Sequence, residues 1–104
     1  MTAADWLPIR YRGFYDIPRM VVVRVGRSTY LLDCPFDADR DEFPDYFDVY
    51  VLPDESESLL ASPSWRELPQ DGRRVGRLPV RAVEFDSSRR QSIRSSFLSH
   101  VVEG

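Results

Sequence analysis

Apolar and polar positions first fall into a clear rhythm at Ile9-Arg10-Tyr11-Arg12, where they alternate with the two-residue period of a half-buried strand. Gly13 is placed to bend that strand before Phe14 and Tyr15, and Asp16-Ile17-Pro18 reads as a corner, because proline removes a ladder donor and restrains its predecessor. The sharpest signal follows. Residues 20–25 and 29–34 are rich in β-formers and flank Gly26-Arg27-Ser28. A two-residue loop of Gly26 and Arg27 suits a type II′ turn, with glycine at the first central position. That register pairs Val23 with Tyr30 and Val21 with Leu32 on one face, and Arg24 with Thr29 on the other. Turn and pattern agree on a hairpin.

Further along, Phe47-Asp-Val-Tyr-Val-Leu52 reads as a strand ended by Pro53. Residues 55–61 suit a short helix, and Ser62-Pro63 suits a second helical start with Ser62 as N-cap. Pro69-Gln-Asp-Gly72 is a turn signal. Residues 78–85 suggest a strand whose apolar phase slips between Ala82 and Val83, as at a bulge. Asp86 is placed to cap a helix running to about Val102, with Ile93, Phe97 and Val101 as its stripe and Leu98 beside it. These elements predict one α+β domain over residues 1–104. Its form is a curved, mainly antiparallel sheet of four or five strands with the C-terminal helix packed on it. An SH3-like, partly open barrel with that helix appended is the alternative.

Charge changes the picture more than composition does. At 104 residues with 42% hydrophobic and 30% charged residues, the chain is an ordinary globular domain. Residues 33–57, however, hold ten acidic residues against Arg40 alone, a charge of −9, while the flanking segments carry +3 each. All the basic residues are arginine, and asparagine is absent as well, which matches the codon bias of a GC-rich bacterial genome. The opening Met1-Thr-Ala-Ala-Asp-Trp-Leu-Pro8 has neither a basic n-region nor an apolar h-region, and the lone cysteine has no partner for an internal disulfide. A cytoplasmic location is expected, with no membrane contact.

The chemistry on offer is sparse. Cys34 and His100, the single thiol and single imidazole, make the only possible Cys–His dyad, but the hairpin register sends Cys34 to the core face. Asp37-Ala-Asp39-Arg-Asp41 has the opening spacing of a calcium loop, yet Glu42 stands where the turn needs glycine. No metal or cofactor is expected. Arg10-Tyr11-Arg12 with Phe14 and Tyr15 interleaves cations and aromatics like a single-strand nucleic-acid platform, and Arg73, Arg74, Arg77, Arg89, Arg90 and Arg94 add cations. The sequence pI of about 5.1 opposes that reading overall. No phosphate loop, dinucleotide fingerprint, zinc-protease or serine-hydrolase motif is present in the sequence. The expectation is a small non-enzymatic binding or regulatory module. Its acidic loop, with Asp37, Asp39, Asp41, Glu42 and Asp45, would contact a protein partner, and self-association is compatible with it. A nucleic-acid binder using the arginines comes second, and a carboxylate-based enzyme third.

Overall fold

The computed structural model describes residues 6–53, 57–62 and 65–103. Six antiparallel strands form one open sheet in the order β5-β4-β3-β2-β1-β6. They are β1 (Trp6–Tyr15), β2 (Ile17–Val25), β3 (Ser28–Asp33), β4 (Tyr46–Leu52), β5 (Arg73–Pro79) and β6 (Ser92–Arg94). The first five strands are a meander, each paired with its neighbour in sequence. The hairpin β2–β3 has the expected register, Val23 to Tyr30, Val21 to Leu32 and Arg24 to Thr29. Gly26 lies at φ 61 whereas Arg27 keeps a negative φ, which is the type II′ geometry. Gly13 (φ 69) and Asp16 (φ 66) supply the bend and the corner between β1 and β2.

Both faces of the sheet are covered, which alternation alone does not suggest. On one face Val21, Val23, Leu32, Cys34, Phe47, Val49, Leu78, Val83, Ile93 and Phe97 form the main core. On the other, Val22 and Leu31 meet Leu52, Leu60, Trp65 and Leu68. Leu60, Trp65 and Leu68 come from the β4–β5 connection, which folds over the sheet with two single-turn helices, α1 (Glu57–Leu60) and α2 (Leu68–Asp71). The indole of Trp65 fixes this cover by donating from Nε1 to the Leu60 carbonyl at 3.1 Å. The consecutive apolar residues Val21-Val22-Val23 and Leu31-Leu32 mark strands buried on both faces. Of the expected second helical start at Ser62-Pro63, residues 63–64 lie outside the described residues, as do 55–56 of the first helix. The turn signal at Pro69–Gly72 instead sits largely inside α2, with proline in its first turn and Gly72 as its C-cap.

Three expectations are corrected. The sheet has six strands, and the domain is mostly sheet with little helix. The strand expected over 78–85 begins earlier, at Arg73, and ends at Pro79. A 3-10 turn over Val80–Ala82 follows, at the place where the apolar phase slips. The C-terminal helix is absent. Its proposed N-cap, Asp86, does accept backbone N–H groups, but those of Ser88, Gln91 and Ser92, and the Ser88 hydroxyl as well. That web closes a loop rather than a helix, so Phe85 bridges to Ile93 and residues 92–94 join the sheet beside β1. The hydrogen bonds, led by the Ser88 side chain, hold the Asp86 carboxyl well below the usual carboxylate range. Six serines between 87 and 99 compete for local backbone groups and weaken helix formation. Ile93 and Phe97 are nonetheless both buried, one on β6 and one on the 3-10 turn Ser95–His100. From there the chain crosses the main core as a strap. Val102 exchanges two backbone hydrogen bonds with Arg77 on the opposite edge strand, β5. Gly76 admits this close approach, because a β-carbon there would collide with the Val102 carbonyl. Among the described residues, no helix is long and apolar enough to cross a membrane.

Candidate protein-docking site

The acidic loop joins β3 to β4, and its shape follows from one carboxylate. Asp37 Oδ1 accepts the backbone N–H groups of Asp39 (3.0 Å) and Arg40 (3.3 Å), an Asx turn that folds the tip back on itself. Asp37 and Glu42 then pair through two backbone hydrogen bonds, with Asp41 at φ 57 inside the tip. Asp37 is therefore a turn residue, its carboxylate committed to the loop. Asp39, Asp41, Glu42 and Asp45 are exposed. Among the described residues, no three histidine, cysteine or acidic side chains gather as a metal site would require.

The loop also positions a group of rings that its acidity does not announce. Because Asp37 pairs with Glu42, the flanking Phe36 and Phe43 come together, with ring centroids 5.1 Å apart in an edge-to-face arrangement. Tyr15, at the end of β1, packs on the other side of Phe43 at 5.3 Å. Phe43 is partly buried against the main core, whereas Tyr15 is 64% and Phe36 50% exposed. Arg19 on β2 places its guanidinium 4.1 Å from the Phe43 ring centre and donates from Nε to the Tyr15 carbonyl at 3.1 Å. Tyr15, Arg19, Phe36, Asp41, Glu42 and Phe43 line an open pocket of about 650 Å³. Asp45 lines an adjoining pocket of about 370 Å³ with Arg40 and Tyr46, and Glu42 and Phe43 border both pockets. The structure thus joins Asp41 and Glu42 to an aromatic cluster, leaves Asp39 at the tip and puts Asp45 in the adjoining pocket beyond Glu42 and Phe43. The sequence signal for the cluster is the pair of phenylalanines placed symmetrically about the acidic turn. Tyr15 has no such signal.

Cys34 lies beneath this cluster. Its thiol donates to the Pro44 carbonyl at 3.4 Å and contacts an Arg19 nitrogen at 3.5 Å. Burial pushes the thiol up from its ordinary range, and the hydrogen bond and charge of Arg19 act against that shift. His100 is exposed on the C-terminal strap. A buried thiol with a raised pKa is a poor nucleophile. Thiol reagents should modify Cys34 only as the protein unfolds, at a rate that rises with denaturant. Rapid labelling of the native protein would contradict the burial.

The remaining acidic residue of note is Asp33, which is buried and faces Asp48 across β3 and β4. Desolvation first and the charge of Asp48 second push the Asp33 carboxyl up to about 6. Asp48 itself has company of the opposite sign, Arg74 at 3.0 Å and Arg77 at 3.8 Å. These two arginines therefore meet the acidic segment at Asp48 on β4, not at the loop tip. Two more of the arginines expected to serve nucleic acid, Arg73 and Arg94, stand far apart. Arg73 is on the β5 edge, while Arg94, on β6 at the opposite edge, lies over Trp6. No family model matches the chain, and neither a curated protein nor a solved structure matches it.

Proposed function

We propose that this protein is a small non-enzymatic binding module that docks a basic segment of a protein partner on its acidic loop and aromatic cluster. One observation carries this reading: two largely exposed aromatic rings, Tyr15 and Phe36, stand on Phe43 beside Asp41 and Glu42. Exposed aromatics that can be desolvated are typical anchors of protein interfaces, and a rim of one charge steers a partner of the other. Residues 33–57 carry −9, so a partner bearing arginine or lysine beside an apolar residue is the complementary one. The C-terminal strap, which ties one sheet edge to the other, fits a partly open barrel that would hold this surface rigid.

The test compares proteins retained from a cell extract by the wild type with those retained by two variants. One is the triple change Asp39→Asn, Asp41→Asn and Glu42→Gln, which spares the turn-forming Asp37; the other is Phe36→Ala. A partner retained by the wild type should be lost by both. The acidic variant should slow association mainly at low salt, whereas Phe36→Ala should speed dissociation at any salt. If both variants retain the same proteins as the wild type, the surface is not an interface.

A further inference from the structure

A second site of opposite charge lies on the outer edge of β1. β6 is short and covers only Trp6, Leu7 and Pro8. One residue further, the Ile9 N–H donates to the Gln91 carbonyl at 2.9 Å, and sheet pairing on that side ends. Two residues on, the Tyr11 backbone faces the same side, as alternation along a strand requires. A pocket of about 450 Å³ opens here, lined by Arg10, Arg12 and Arg90 together with Ile9, Tyr11 and Leu60. None of the described residues lining it is acidic.

Two of these cations are fixed before any ligand arrives. The Arg12 guanidinium lies 4.4 Å from the Trp65 ring centre and donates to the carbonyls of Ser62 (3.1 Å) and Tyr11 (2.9 Å). That of Arg90 lies 3.9 Å from the Phe14 ring centre and donates to the Ser88 carbonyl at 3.5 Å. A stacked guanidinium loses less freedom on binding than a free one, and its remaining N–H groups suit the paired oxygens of a phosphate. Ile9 and Leu60 supply apolar wall, which lessens screening of the charge.

We propose that this pocket binds a phosphate group. None of its lining residues is shared with the acidic and aromatic pocket, so the two sites stand or fall separately. The phosphate could belong to a small metabolite or to the backbone of single-stranded nucleic acid, and the two sources separate by experiment.

Amide chemical shifts of the full chain would be followed while inorganic phosphate, adenosine monophosphate and a ten-nucleotide oligothymidine are each added at constant ionic strength. Arg90→Gln is the test variant. Arg27→Gln, at the exposed tip of the β2–β3 hairpin, is the control, and thermal melting establishes that both are folded. Saturable shifts are expected at residues 9–12 and 90, weakened about tenfold by Arg90→Gln and unaltered by Arg27→Gln. Oligothymidine binding far tighter than the monophosphate, with a steep salt dependence, assigns the site to nucleic acid. Equal or weaker oligothymidine binding assigns it to small phosphate compounds. Shifts that do not saturate, or equal effects of the two variants, would overturn the proposal. If Arg90→Gln fails to fold, the wild-type shifts still decide: saturation confined to residues 9–12 and 90 supports the site, and saturation elsewhere overturns it.

Discussion

Trp65→Ala is expected to destabilise the protein by about 3–5 kcal/mol, the usual range for removing a fully buried large aromatic side chain. Against a total stability of about 5–15 kcal/mol for a domain of this kind, that is a large fraction. Trp65 is 2% exposed and closes the second core over Val22, Leu31 and Leu52. Its loss opens a cavity, removes the hydrogen bond to Leu60 and deprives Arg12 of its stacking surface. Denaturant unfolding followed by circular dichroism measures the change. Trp65→Phe should keep most of the buried area and lose little beyond the indole hydrogen bond, about 1 kcal/mol. A loss below about 1 kcal/mol for the alanine variant would mean that the β4–β5 connection merely rests on the sheet.

Asp33→Asn should stabilise the protein at neutral pH, by up to about 3 kcal/mol, and do little near pH 4. The Asp33 carboxyl titrates at about 6 in the folded chain against 3.8 as its ordinary value. Below both values it is neutral in either state and has no effect on the balance. As pH rises from about 4 to about 6, the unfolded chain gives up its proton first, so folding loses ground, and above 6 the full penalty is present. Asparagine removes the charge and supplies an amide donor opposite Asp48 across the strands. Urea midpoints at about pH 4 and pH 7.5 should therefore diverge between the wild type and the variant, with the wild type lower at the higher pH. Parallel curves would show that Asp33 is hydrated in the folded protein. The same penalty explains why directly opposed carboxylates are uncommon in sheets, and why Arg74 and Arg77 both attend Asp48.

The β2–β3 hairpin is legible in the sequence because each cause acts within about fifteen residues. Gly26 selects the turn, the turn sets the register, and the alternation of Val21, Val23, Tyr30 and Leu32 agrees with it. The strand ending at Leu52 and the acidity of the loop are legible for the same local reason. The C-terminal region misleads because Ile93 and Phe97, four apart, satisfy a helical stripe and also a strand followed by a 3-10 turn. Tertiary structure chose the latter: the edge of β1 offered unpaired backbone groups, and Asp86 closed the loop that brought residues 92–94 to it. Both candidate sites depend on the same kind of long-range choice. Phe36 and Phe43 are opposed by their own loop, but Tyr15 reaches them only because β1 and β3 flank β2, and Arg12 meets Arg90 at one pocket only because the 86–91 loop returns to the β1 edge. The sequence by itself determined the local turn chemistry, the strand periods and the segregation of charge, since those act through neighbouring residues. Which aromatics stand beside the acids and which arginines converge was decided by strand order, because those contacts exist only once distant backbone edges have paired.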